Sequence, residues 1–290
     1  MKVCPECGQG FDAPAWACPH CSLESRIEDG VRVLAPAVSV DRDSYDPSFF
    51  AELWELETGH FWFEARNELI VWALNRHFPD AHTYLEIGCG TGFVLASVRA
   101  AFPHLRVAGS DLYLQGLAFA RERVDGVELV QLDASRIPYE SEFDAVGIFD
   151  VLEHIDDDGR VLEEINRTLG PGGGVVITVP QHPWLWGVQD EVAHHRRRYT
   201  RRELVEKVRR AGFAIERVTS FVSLLLPVMA VSRLRPRSPT RHDALAELRI
   251  GRGVNSVLKR VMRAEHSLIR RGVSLPAGGS LLLVARKEAS

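Results

Sequence analysis

Cys4-Pro-Glu-Cys7 and Cys18-Pro-His-Cys21 gather four thiols into two close pairs with ten residues between them. Four thiolates at this spacing close a tetrahedron around Zn²⁺, and so short a segment needs such a metal in order to fold. A redox role for either pair lacks the strand–helix setting that this chemistry requires. Further along, Asp150, Glu153 and His154 form a small carboxylate–imidazole group, suited to moving a proton or holding a cation. Residues 180–199 add Trp184, Trp186, Asp190, His194, His195 and the run Arg196-Arg197-Arg198. Indoles stack on rings, and guanidinium forks hold phosphate or carboxylate unless they merely line a surface turn. The remaining candidate is the loop Gly88-Cys89-Gly90-Thr91-Gly92, with Glu86 two positions before it. Phe93 stands where a dinucleotide fingerprint needs its third glycine, and no Gly-Lys-Ser/Thr follows to make a phosphate loop.

These groups need elements to hold them. Strand patterns at 83–87, 105–109, 127–132, 143–149 and 173–179 alternate with helical ones at 93–102, 112–124 and 156–169. Such βαβ repetition predicts a doubly wound, mostly parallel α/β sheet, whose ligands bind beyond the C-terminal strand ends. Thr200 and Glu203 make a capping box for a helix that Gly212 stops, and 213–223 and 280–287 are the last strands. Residues 47–80 repeat Trp and Phe at helical spacing around Gly59, either as core or as a lid turning His60, Trp62 and Arg66 toward a cofactor. The expected organisation is a ribbon at 1–28, a linker at 29–46 and one domain at 47–290. Within that domain 47–80 is a helical lid and 224–275 a basic insertion.

Taken in order, the acid-preceded glycine loop, Asp111 23 residues after Gly88, Asp133-Ala134, Phe149-Asp150-Val151-Leu152-Glu153-His154-Ile155 and Pro171-Gly172-Gly173-Gly174 resemble the class I S-adenosylmethionine-dependent methyltransferases. The resemblance implies a seven-stranded Rossmann-like sheet, here with an added N-terminal zinc ribbon, and methyl transfer as the activity. It assigns S-adenosylmethionine to Glu86, Gly88, Gly90, Gly92, Asp111, Leu112, Asp133, Ala134 and Asp150, with Asp111 on the ribose hydroxyls and Asp133 on the adenine amine. This cofactor has no pyrophosphate, so its loop has no anion to neutralise, while its ammonium and sulfonium groups favour carboxylates. Similarity to quinone-biosynthesis O-methyltransferases makes Glu153 and His154 catalytic candidates, and His195 of the acceptor-facing loop joins them. They would act as base or as ligands of an active-site divalent metal, and helix capping is the competing role. Cys89 reads as a small loop residue.

The chain has 290 residues, 46% of them hydrophobic and 26% charged, the make-up of ordinary soluble domains. Its net charge of −4 hides a division, since residues 196–290 hold 22 Lys and Arg against 7 Asp and Glu. That end should face something anionic, or simply the acidic remainder of the same protein. The longest apolar run, 221–231, contains Pro227 and falls short of the about 20 residues a bilayer needs. Paired cysteines suit a reducing compartment, so a cytoplasmic location is expected. Peripheral contact with the inner face of an anionic membrane is suggested by a basic amphipathic helix. It carries Val254, Val257, Leu258, Val261, Met262, Leu268 and Ile269 on one face and Lys259, Arg260, Arg263, Arg270 and Arg271 on the other. A dimer face or a packed lid would use the same pattern. The expected acceptor is a small or lipid-linked anionic molecule, methylated at oxygen in preference to nitrogen or carbon, and the resemblance implies cell-envelope glycan, lipid or quinone biosynthesis as its source. An rRNA or tRNA base methyltransferase is the alternative, disfavoured by the acidic ribbon and by the lack of an Asn-Pro-Pro-Tyr-type motif. A non-catalytic cofactor-binding adaptor is the third reading.

Overall fold

The computed structural model describes residues 1–13, 16–35, 46–233 and 249–288. The N-terminal part consists of β1 (Lys2–Val3), β2 (Gly10–Phe11), β3 (Arg26–Glu28) and β4 (Val31–Val33), followed by α1 (Phe49–Glu57) and α2 (Phe61–His77). The repeating unit then runs β5 (Thr83–Ile87), α3 (Phe93–Ala101), β6 (Arg106–Asp111), α4 (Leu114–Arg123), β7 (Glu128–Gln131), β8 (Phe143–Phe149), α5 (Asp158–Thr168) and β9 (Leu169–Pro180). After α6 (Val188–Val192) and α7 (Arg201–Arg210), β10 (Phe213–Phe221), α8 (Leu226–Arg233), α9 (Arg252–Arg270) and β11 (Ser280–Lys287) complete the chain.

β5, β8 and β9 are buried on both faces because helices cover both sides of the sheet, which is why they read as continuous apolar runs. The nine strands lie in the order β10-β11-β9-β8-β5-β6-β7-β4-β3, with β11 antiparallel to both of its neighbours. The seven strands from β10 to β7 are the Rossmann-like methyltransferase arrangement expected. Strand order reverses between β5 and β8, so a crevice opens at their C-terminal ends, where Gly88 and Asp150 lie.

The other two strands come from the stretch expected to be a ribbon tail and linker. Val31 and Val33 turn inward on either side of Arg32, so β4 pairs parallel with β7 and antiparallel with β3. Three alternating residues are too short a pattern to read as a strand, and the pairing depends on a partner nearly 100 positions away. The linker expected at 29–46 therefore begins as sheet, and residues 36–45 lie outside the described residues. The ribbon packs on the sheet as well. Cys4, Phe11, Trp16 and Cys18 share a core cluster with Leu34, Ile137, Tyr139 and Phe143, and Trp16 meets Tyr139 edge-on at 5.4 Å.

The 224–275 insertion contains α8 and α9, and the stretch 234–248 lies outside the described residues. The apolar face expected on α9 is divided, with Met262 and Ile269 in the core and Val254, Val257 and Leu268 exposed. Among the described residues no helix is long and apolar enough to cross a membrane.

Candidate functional site

The loop after β5 is built for close approach. Gly88 has φ +69°, and a Cβ there would lie 2.3 Å from Val151 Cγ2. Gly92 has φ +74°, and a Cβ there would come within 2.9 Å of the Ala120 main chain. Neither position admits a side chain. Asp111, at the end of β6, accepts from Gly90 N through Oδ2 and from Tyr113 N through Oδ1, both at 2.9 Å. Burial nonetheless pushes its pKa up to about 6. Glu86 is buried beside it and accepts from the Tyr84 hydroxyl at 3.3 Å. Burial raises Glu86 to about 8 in spite of the nearby Arg66 charge. Asp133 caps its own turn, accepting from Ser135 N and Oγ at 2.8 Å, with half-buried Ala134 behind it. Leu112 follows Asp111, its carbonyl held by Gln131 Nε2 at 3.1 Å. Cys89 is buried, and burial raises its thiol far above the reactive range.

Two elements close over this loop. Buried Glu57, at the end of α1, accepts from Thr91 Oγ1 at 2.7 Å and from Arg123 Nη1 at 2.6 Å, so the helix is latched to the glycine loop. From α2, Arg66 donates to Asp150 Oδ2 at 2.5 Å with its guanidinium 4.7 Å from the Trp62 ring. Asp150 also accepts from Thr178 Oγ1 at 3.2 Å and has φ +54°. Residues 49–77 thus pack in the core and also bring Arg66 to Asp150. His60 does not face the site as a lid residue would, because its Nδ1 accepts from Trp62 N at 3.2 Å and starts α2.

On the other side of the crevice the rings of His154 and His195 meet edge-on at 4.7 Å. Asp190 is fully buried and accepts from His195 Nδ1 at 2.8 Å, Arg198 Nε at 2.7 Å and Gly187 N at 2.8 Å. Burial alone would raise Asp190, but the His195 bond and the Arg198 charge outweigh it and hold the carboxyl below its usual range. Glu153 has no exposed surface, and burial and the Asp150 charge raise its pKa well above the carboxylate range. Burial and the neighbouring His195 and His194 bring His154 down to about 3, so its ring is neutral. Candidate ligand atoms of Glu153, His154 and His195 all lie within 4.8 Å of one another. His182 and His194, like Asp150, have positive φ, so three residues around this opening hold a conformation that side chains rarely adopt.

The arginine run has a different task from the one its composition suggests. Arg198 is used up on Asp190 and the Gln181 carbonyl, and Arg197 bonds Asp158 at 3.3 Å and the Asp156 carbonyl at 3.0 Å. Both tie the loop to the domain instead of forming an open anion fork. Asp190, named in the sequence only as one acid of this loop, is the residue that gathers His195, Arg198 and the Gly187 amide.

At the N-terminus the Sγ atoms of Cys4 and Cys21 lie 3.6 Å apart and those of Cys7 and Cys18 3.7 Å apart. Tetrahedral zinc with Zn–S bonds of about 2.3 Å has S···S edges of about 3.8 Å, so the four thiols fit that metal. The crevice likewise fits S-adenosylmethionine, because buried carboxylates suit its cationic groups and the side-chain-free loop suits close approach.

Residues 85–177 match the family model described as a methyltransferase domain. The chain is 28% identical over 163 residues to a probable S-adenosylmethionine-dependent methyltransferase of Mycolicibacterium smegmatis, covering 54% of this chain and 61% of that protein. It is 33% identical over 101 residues to a ubiquinone/menaquinone biosynthesis C-methyltransferase of Desulfotalea psychrophila, covering 34% and 41%. These matches span less than two thirds of the relatives' own length. Among solved structures, Haemonchus contortus phosphoethanolamine N-methyltransferase 2 in complex with S-adenosyl-L-methionine superposes with a TM-score of 0.57 at 21% identity, over 89% of this chain and 62% of that one.

Proposed function

We propose that this chain, which carries a class I S-adenosylmethionine-dependent methyltransferase domain, transfers a methyl group to a small or lipid-linked acceptor bearing anionic groups. The observation that carries the reading is the lock between Asp111 and the Gly90 amide at the strand-order reversal. When bound, S-adenosylmethionine supplies an electrophilic methyl group. Asp111, with Leu112, Asp133 and Ala134 beside it, holds the nucleoside, and the amides of Gly88, Gly90 and Gly92 frame the loop. Glu86, Asp150 and Arg66 hold the amino-acid end, the guanidinium of Arg66 being matched to a carboxylate and the two acids to an ammonium.

Methyl transfer needs an unprotonated nucleophile in line with the leaving group. Asp190 fixes His195 through Nδ1, which leaves Nε2 to take the acceptor's proton, and neutral His154 braces the ring from the side. Oxygen is the favoured methylated atom for a base of this kind, and carbon the second. His195→Ala is expected to lower kcat roughly 100-fold, the usual size of a general base, with S-adenosylmethionine affinity within about twofold of the parent by calorimetry. Unchanged turnover would leave proximity alone to explain catalysis. A divalent cation held by Glu153, His154 and His195 is the second reading, favoured by the convergence of their ligand atoms. Turnover abolished by a chelator and restored by Mn²⁺ or Mg²⁺ would select it.

Cofactor binding should also move a proton. With Glu86 at about 8 in the free protein, its carboxyl is mostly protonated at pH 7, and a neighbouring ammonium favours the ionised form. Binding at pH 7 is therefore expected to release close to one proton, and affinity should rise with pH up to about 8. Calorimetry in buffers of different ionisation enthalpy measures this, and zero release would remove Glu86 from the ammonium site. By the same sign the cofactor-free fold loses stability as pH rises from 4.5 towards 8, since the unfolded carboxyl ionises first.

Cys4, Cys7, Cys18 and Cys21 hold structural zinc in this reading. An rRNA or tRNA acceptor has no support from the ribbon, which carries Lys2 and Arg26 against Glu6, Asp12, Glu24 and Glu28. The acceptor is tested with labelled methyl donor on cell extract split into lipid, RNA and soluble fractions. Label in the lipid or small-molecule fraction supports the proposal, label in RNA replaces it with the alternative, and no label anywhere leaves the adaptor.

A further inference from the structure

Met229 of α8 and Leu225 in the turn before it pack against the core, while Val228 and Val231 of α8 are exposed at 69% and 59% and Leu224 of that turn at 50%. Val228 and Val231 follow the i, i+3 spacing of one outward face, and Leu224 leads into it. The chain entering α8 is fixed on α9, where Glu265 Oε2 accepts from Leu224 N at 2.8 Å. The opposite edge of α9 lies along α2. There Asn255 bonds Phe61 N at 2.8 Å and the Gly59 carbonyl at 2.7 Å, and Lys259 pairs with Glu64 at 2.5 Å.

Helical geometry then fixes where the rest of α9 points. At 100° per residue, Val254, Val257 and Leu268 fall on the edge shared with Glu265, the α8 side, and all three are exposed. Arg260, Arg263 and Arg271 come next around the helix and are exposed too. The sole acid between 249 and 273 is Glu265, which is buried, so nothing on this stretch neutralises the arginines. α8 also packs against the turn at 183–185, whose Trp184 is 57% exposed and extends the apolar surface to the acceptor-side loop.

We propose that the outward faces of α8 and α9 form one docking surface for an anionic lipid bilayer, which brings a lipid-borne acceptor to the loop carrying His195. The inference rests on the lipid-linked form of the acceptor proposed above. Charge selects the occupant: an apolar strip bordered by arginines that have no exposed acid on their own helix fits acyl chains beneath anionic headgroups. A second copy meeting the same face about a two-fold axis would set arginine against arginine.

The test is sedimentation of the full-length chain with phosphatidylcholine vesicles with and without phosphatidylglycerol. Binding is expected on the anionic vesicles alone, reduced more than tenfold by Val228→Asp with Val257→Asp, and again by Arg260→Glu with Arg263→Glu. S-adenosylmethionine affinity should stay within about twofold of the parent in every variant, showing that each is folded. No binding to anionic vesicles by a chain that still binds the cofactor would overturn the docking surface. So would binding insensitive to the valine changes, or a solution dimer that Val228→Asp dissociates. If vesicles bind as expected but label enters only water-soluble products, the docking surface stands and the lipid-borne acceptor fails.

Discussion

Asp111→Ala is expected to weaken S-adenosylmethionine binding at least about 100-fold. A carboxylate that takes both hydroxyls of a diol makes two charge-assisted hydrogen bonds, each contributing ~1.5–3 kcal/mol, and ~1.4 kcal/mol is a factor of ten. The substitution also frees the Gly90 and Tyr113 amides that Asp111 now accepts from, so the glycine loop loses one of its ties to β6 and keeps the bond from Cys89 N to the Ser110 carbonyl. Stability of the cofactor-free fold should change far less, because two effects oppose. Losing the two amide bonds is unfavourable, while removing a carboxyl that burial has raised from 3.8 to about 6 relieves a desolvation cost of similar size. Asp111→Asn keeps an acceptor oxygen and should fall between parent and alanine. Its affinity should also lack the rise through pH 6 that ionisation of Asp111 gives the parent. Calorimetry on all three reads these effects, and parental affinity in Asp111→Ala would place the cofactor elsewhere.

The pattern that made Asp111 visible was the combination of a buried strand and a defined interval. β5, β8 and β11 end where their apolar runs predict, because burial on both faces leaves little freedom in composition. Interval then carries function, since a strand that ends at the crevice presents its next residue to the ligand. Side chains whose role depends on tertiary partners were far less legible. Arg66 was one of three residues that helical spacing could turn toward a cofactor, and only its bond to Asp150 separates it from His60, which starts α2 instead. Asp190 and Arg198 form a buried pair, and Arg-rich sequence suggested anion binding where the fold uses charge to brace a loop. β4 escaped notice because three residues carry no periodic signal and its pairing is supplied by β7.

The β4 pairing gives the zinc ribbon a consequence beyond its own fold. Removing zinc with a chelator, or replacing Cys7 or Cys21 by serine, is expected to lower the Tm of the whole domain by roughly 10 °C. The reason is where the ribbon's apolar residues go. Trp16 is buried against Tyr139 and Phe11 against Trp16, and each contributes ~2 kcal/mol on burial; at ~2–4 °C per kcal/mol their joint loss gives the stated shift. The main chain follows the same route, since Val3 N donates to the Pro138 carbonyl at 3.0 Å and Met1 N to the Glu140 carbonyl at 3.0 Å. The ribbon is joined to the sheet through residues 137–140, a few positions from Asp133. Past the ribbon, Gln131 clamps Ala35 N and O at 3.0 and 3.1 Å while holding the Leu112 carbonyl next to Asp111. Zinc loss should therefore weaken S-adenosylmethionine binding as well, by several-fold and not by the 100-fold of Asp111→Ala, because it loosens the support and leaves the carboxylates in place. Trp16 fluorescence should shift to the red at the same metal occupancy at which cofactor affinity falls. A metal-free chain with unshifted Trp16 emission and parental Tm would show that the four thiols carry no part of the fold.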